Sequence, residues 1–346
     1  MTRSSTRRRR KPWWSELPDR DLLEVRLSDL DLDWRSTWLA GVVDRLYEEL
    51  ESASIRLRPH VWLSTEWFSP DGVPGIAVPF FLADDRLMRL EKRMMLSVEG
   101  GRERECMRLL RHEAGHAVCT AFRLHRRARW RKAFGLYGKP YPDSYAPRTS
   151  SRHYVQHLAG WYAQAHPAED FAETFAVWLN PNSRWRSRYR DWPALAKLEA
   201  VDEMIESIAG TTAPTRSRRH VEPVSGVRET LREFYSEKQD RYGRHAPTVF
   251  DEDLLRLFSD DPRHHRRETA VSFLRRARPR IRATVARWTG EVPYTVDQVI
   301  GDMIERCKSL ELRLAMSPSA SLDEASVLVA VHTTRFMHRL PHRIAM

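Results

Sequence analysis

The chain has 346 residues, 41% of them hydrophobic, and a formal net charge of +11; that is enough for about two domains with substantial cores. No apolar run approaches the roughly 18 residues that span a bilayer as a helix, and MTRSSTRRRR at the start leads into no hydrophobic signal segment, so no membrane-spanning helix is expected and a cytoplasmic location is the default expectation. Cys106, Cys119 and Cys307 are an odd number at no metal-ligand spacing, which argues against a disulfide framework and suits a reducing compartment.

In chain order, residues 1–14 read as a basic, disordered tail: Arg3, Arg7, Arg8, Arg9, Arg10 and Lys11 precede Trp13 and Trp14. Such a tail either meets an anionic partner, nucleic acid or an anionic lipid surface, or is simply a solvated terminus. Two β-prone runs follow, over 58–64 and 76–83, and Pro79 confines the second to an edge or a bulge. An edge there could take up an extended peptide by strand addition; equally, its proline could protect it.

Residues 102–121 form an amphipathic helix, with Met107, Leu110, Ala114, Ala117 and Ala121 spaced by threes and fours. The same helix carries HEAGH, residues 112–116, which is an HExxH pattern. Positions i and i+4 stack on one helix face, so His112 and His116 can grip one metal ion. Glu113 lies about 100° round the axis, placed to act on a water as general base without being a ligand. A surface histidine pair has the same spacing, so a third ligand decides between the two readings. Residues 123–152 are basic, with Trp130, Tyr137, Tyr141 and Tyr145 interleaved; they read as a long surface loop that could also form a positive rim for acidic substrates.

The third ligand is sought in the stretch WYAQAHPAEDFAETFAVWL, residues 161–179. Pro167 suits the first position of a helix, which puts Glu169 and Asp170 in its first turn. Glu169 and Glu173 are again i and i+4, beside an apolar face of Phe171, Phe175 and Trp178. A catalytic zinc takes three protein ligands and leaves a position for water. Either glutamate could complete the set, the other then orienting a histidine through its second ring nitrogen; His157 and His166 are further candidates.

The residues from about 15 to 210 resemble the bacterial zinc-binding metallopeptidases, whose pattern joins HExxH to a later HPxEDFAETFAxWL segment, here residues 166–179. Residues 168–175 are also similar to the corresponding helix of the anthrax lethal factor catalytic domain, although this chain has more residues between the two motifs. The resemblance implies an α+β, zincin-like metallopeptidase domain over 15–209, with a small sheet and active-site helices. It implies Zn2+ held by His112, His116 and Glu169, with Glu173 orienting a histidine and Tyr162 facing the reacting carbonyl. The expected activity is hydrolysis of a peptide or protein substrate, with Glu113 as general base. A competing expectation is a basic nucleic-acid-binding or regulatory protein whose zinc site is structural or vestigial.

Beyond residue 209 the composition changes. Residues 210–226 read as a linker, and amphipathic patterns over 227–242, 251–258, 263–288, 296–315 and 322–338 predict a mainly α-helical C-terminal domain over 227–346. Pro279 should kink or end the third of these helices. The adjacent His264 and His265 point about 100° apart on a helix and so do not share a metal.

Overall fold

The computed structural model describes residues 11–142, 145, 147–148, 151–242 and 250–337. Residues 1–10 of the expected basic tail lie outside them. The ordered fold begins before the expected boundary, because Trp14 is fully buried and its indole Nε1 donates to Leu30 O at 2.9 Å. A large aromatic with its polar atom satisfied is a core residue, not part of a tail.

A single-turn helix α1 (Asp19–Leu22) leads to α2 (Trp38–Ser52), which Thr37 caps by accepting from Leu39 N. Leu39, Val42, Val43, Leu46 and Leu50 form its buried stripe. Strands β1 (His60–Ser64) and β2 (Gly75–Pro79) pair in parallel, His60 opposite Gly75 and Ser64 opposite Pro79, and both are buried along their length. A side chain at residue 75 would meet the His60 ring at 2.4 Å, so only glycine lets β2 start there. The run 76–83 is thus shorter as a strand than expected. Pro79 has no amide to extend the ladder, and residues Phe80–Ala83 leave it in a 3-10 turn with all four side chains buried. On its other side β2 meets Phe68, whose carbonyl accepts from Ala77 N at 2.8 Å.

Helix α3 (Asp85–Met95) and the long α4 (Glu103–Phe122) follow. The stretch 123–152 is not wholly loop: α5 (Ala128–Phe134) buries Trp130 and Phe134, and Trp130 packs on Phe171 with ring centroids 6.0 Å apart. A 3-10 segment (Ala159–Gln164) then leads to α6 (Pro167–Leu179), the single-turn α7 (Trp185–Arg188) and α8 (Ala194–Glu206). Packing of α4 directly against α6 sets the centre of this part of the molecule.

Residues 210–226 are not a free linker. Their backbone is bonded to the preceding fold: Gly210 N to Ser54 O at 2.9 Å, Thr215 N to Ala121 O at 3.1 Å, and Val221 O and Glu222 O to the side chains of Trp62 and Ser64. Small and polar residues here serve close backbone contact. Helix α9 (Leu231–Tyr242) belongs to the same core, burying Leu231, Phe234 and Tyr235 and pairing Lys238 with the buried Glu91 at 2.9 Å.

A separate cluster of buried side chains runs from Phe250 to Val329. It is built by α10 (Asp251–Leu257), α11 (Ala270–Thr289), α12 (Pro293–Ser309) and α13 (Pro318–Met337). The two-residue strands β3 (Phe258–Ser259) and β4 (Arg313–Leu314) pair antiparallel beside them. The division between the clusters falls after α9, later than the composition suggests. Pro279 does not end α11, which continues to Thr289. Both Pro279 and Arg275, whose carbonyl loses its helical partner, lie on the exposed face where solvent can replace it, while Phe273, Leu274, Ala277, Ile281 and Val285 keep the buried stripe intact. The architecture is mixed, many helices with a small two-stranded sheet. Among the described residues no helix is long and apolar enough to cross a membrane.

Candidate metal centre

Gly115, the fourth residue of HEAGH, determines how the centre is assembled. A Cβ at this position would lie 2.9 Å from Ala172 Cα and 3.2 Å from Ala172 O, so the backbones of α4 and α6 are in contact there. That contact brings the histidine face of α4 onto Glu169 and Glu173 of α6. Helix α4 is consequently buried nearly all round at this level, with His112 only 3% and Glu113 only 6% exposed.

His112 Nε2 lies 3.1 Å from Glu169 Oε2, His116 Nε2 lies 3.3 Å from the same oxygen, and the two Nε2 atoms are 3.2 Å apart. Three donors bound tetrahedrally at about 2.0–2.1 Å should stand roughly 3.3 Å from one another, so this triangle fits one zinc ion. His112, His116 and Glu169 are the group that could hold a metal among the described residues.

The other glutamate has different partners. Glu173 Oε1 is 2.9 Å from His112 Nδ1, and its Oε2 accepts from Leu158 N at 2.8 Å. Glu173 takes the Nδ1–H of His112, so that when a metal replaces the proton on Nε2 the Nε2 lone pair faces the triangle with Glu169 and His116. Burial opposes a charge on His112, but its hydrogen bonds to Glu169 and Glu173 outweigh it and hold the imidazole pKa well above the ordinary value. Burial likewise opposes ionisation of Glu169, yet the His116 charge and the histidine hydrogen bonds hold that carboxyl well below the usual range. Glu173 is held low against its burial chiefly by the His112 hydrogen bond.

Both histidine alternatives are engaged elsewhere. His157 Nε2 donates to Arg108 O at 3.0 Å. His166 caps α6, its Nδ1 accepting from Ala168 N at 3.1 Å, so its Nε2 carries the proton and donates to Lys139 O at 2.7 Å. Asp170, in the same first turn as Glu169, points to Lys197 at 2.6 Å.

Glu113 is buried beside the triangle; burial pushes its pKa up, and the neighbouring His112 and His116 charges pull it down. The Tyr162 ring lies 5.6 Å from the His112 ring, tilted by 43°. Its hydroxyl is held protonated, first by burial and then by the Glu169 charge. The preceding residue, Trp161, has φ +54°, a left-handed conformation that costs a bulky side chain roughly 1–2 kcal/mol.

Sequence reasoning missed Tyr141 as a partner of the centre and placed it only on a basic rim. Its hydroxyl donates to Glu169 Oε1 at 2.7 Å, which leaves Oε2 for the two histidines, and its ring stacks on His166 with centroids 3.8 Å apart. Nothing in the local pattern signals this contact, because Tyr141 reaches Glu169 across 28 positions of chain.

Residues 82–185 match the model of a family described as putative zinc-binding metallo-peptidase. No curated protein and no solved structure matches the chain. The matched segment contains every residue of the triangle together with Glu113, Tyr141, Tyr162 and Glu173; its buried apolar side chains belong to the first large core, apart from a few such as Val155, Val177 and Trp185 in a small cluster beside it.

Proposed function

We propose that this protein is a zinc-dependent peptidase with a zincin-like catalytic domain. The observation that carries the reading is the buried triangle of His112, His116 and Glu169 with the carboxylate of Glu113 on the same helix, inside a segment matched to a zinc-binding metallopeptidase family. Two imidazoles and one carboxylate suit zinc and leave a coordination position open, as a catalytic site requires. When bound there, zinc supplies Lewis acidity toward the scissile carbonyl and lowers the pKa of its water.

The protein groups divide the remaining work. Glu113, whose burial raises its basicity, takes a proton from the attacking water and returns it to the leaving nitrogen as the C–N bond breaks. Tyr162 stays protonated and donates to the oxyanion that develops on the carbonyl oxygen. Glu173 keeps His112 in one tautomer, and Tyr141 restrains the free oxygen of Glu169. The three cysteines are unpaired, buried thiols, which suits action in a reducing, cytoplasmic setting. The competing reading of a structural zinc in a nucleic-acid-binding protein has weaker support, since a structural site is closed by four protein ligands. Here the group that could hold a metal among the described residues numbers three.

Substituting Glu113 by Gln is expected to lower turnover of a peptide substrate by about 10²–10⁴-fold while zinc stays near one per chain. The measurements are hydrolysis of a quenched fluorescent peptide library and metal analysis of the purified protein. Undiminished hydrolysis in the variant would remove Glu113 from the mechanism.

A further inference from the structure

The turn after α4 and the loop after α5 build a second feature on the Glu169 side of the centre. Tyr137 stacks on His125 with ring centroids 4.4 Å apart, and its hydroxyl is hydrogen-bonded to Asp71. Two residues on, Lys139 O accepts from His166, and then Tyr141 donates to Glu169. The loop is therefore tied to the turn after α4, to the segment before β2 and to the first turn of α6.

Between this loop and the turn lies a broad, open depression of about 780 Å³, whose walls include His125, Arg126, Arg131, Leu136, Tyr137 and Lys139. That volume is within the range of small-ligand and peptide side-chain sites, roughly 300–1,000 Å³. Leu136 is 68% exposed on its wall. The cations Arg126, Arg131 and Lys139 are exposed and have no carboxylate partner among the described residues, whereas the neighbouring Arg129 is paired with Glu203. Asp71 and Glu169, the acids bonded to the loop, are engaged by Tyr137 and Tyr141 respectively. Three uncompensated cations in a concave wall concentrate positive potential and attract a carboxylate, while Leu136 and Tyr137 offer apolar cover to its stem.

We propose that this depression is a substrate subsite for a carboxylate, so that the peptidase prefers peptides presenting an acidic side chain or a free C-terminus next to the scissile bond. This rests on the peptidase reading above. It would give the basic charge of the loop a specific task, distinct from the general charge of the chain.

The test measures binding of short synthetic peptides to the full-length, zinc-loaded Glu113→Gln chain. The peptides are paired as Asp or Glu against Asn or Gln, each with a free or an amidated C-terminus. The acidic or free-carboxylate member is expected to bind roughly tenfold tighter, the scale of two or three screened ion pairs. That preference should vanish when Lys139→Glu or Arg126→Glu is added, and binding of neutral peptides should stay unchanged. The side-chain and C-terminal pairs separate the two sources of carboxylate, and selectivity in either supports the subsite. Equal binding within all pairs overturns it, and so does a preference that survives charge reversal, because the overall charge would then be its cause. Loss of oligonucleotide binding alone on charge reversal also overturns it, in favour of a nucleic-acid surface. Zinc content verifies that the variants fold, with Lys139→Ala as the milder change. Hydrolysis by the wild-type chain is scored separately: its absence counts against the peptidase reading, and its presence without carboxylate selectivity counts against the subsite.

Discussion

Two tyrosines stand at the centre with different partners, and the difference separates their roles. Tyr141 donates to Glu169 Oε1, so it acts on a proposed ligand, whereas the ring of Tyr162 stands against His112 and its hydroxyl is assigned to the substrate. Substituting Tyr141 by Phe should weaken zinc binding by about 10–100-fold, the usual cost of losing a partner of a metal ligand, as read by competition with a chelator. The corresponding change of Tyr162 should leave zinc affinity unaltered and lower kcat by about 10²–10³-fold, the scale of one lost oxyanion donor. Equal losses of zinc in both variants would contradict the assignment. At this scale His112, His116, Glu169 and Glu173 were legible because each pair repeats at helical spacing. Tyr141 and the capping role of His166 were not, since both depend on a loop folding back onto α6.

Among the elements, the pair of α4 and α6 governs the geometry of the centre. The motif carries glycine between the alanine and the second histidine, and Ala172 faces it, so the helices approach until their backbones touch. One turn before Gly115, Arg111 makes a two-pronged bond to Glu49 of α2, with Nε and Nη2 at 2.7 and 2.6 Å from the carboxylate oxygens, which ties α4 to α2. Replacing Gly115 by Ala tests this arrangement. Overpacking against backbone costs about 1–3 kcal/mol, and the better helix propensity of alanine returns up to about 1 kcal/mol. A net destabilisation of roughly 0–2 kcal/mol is therefore expected in thermal unfolding. The sharper readout is zinc affinity, which should fall even if stability barely moves, because the donor triangle spans both helices. Unchanged affinity would mean that the helix spacing does not set the donor distances. Both helices are expected from the sequence, but not that the second lies on the histidine face of the first and buries it.

At the scale of the molecule, the two large clusters of buried side chains among the described residues divide after α9. Phe234 of that helix stacks edge-on against Phe80 with ring centroids 5.3 Å apart, and Lys238 neutralises Glu91, a carboxylate buried in α3. A chain ending at Tyr242 is expected to fold and bind zinc. One ending at Gly226 loses Lys238, the cation paired with Glu91, and uncovers Phe80 and Phe81, so it is expected to unfold at lower urea and to bind zinc more weakly. Urea unfolding and zinc titration of the two truncated chains check this; equal behaviour would return α9 to the helical C-terminal half.

The amino-acid sequence by itself determined the helices and the chemistry they can carry. Periodicity places side chains on a helix face without help from the rest of the chain, so HEAGH and the Glu169–Glu173 pair could be read as two halves of one site, and Pro167 as the start of the second. Only the tertiary structure decided which glutamate faces both histidines, that Tyr141 holds it, and that residues 210–242 complete the first core. Those outcomes depend on contacts between residues far apart in the chain, and on burial that allows two helices to touch only where Gly115 meets Ala172. No local pattern encodes such contacts.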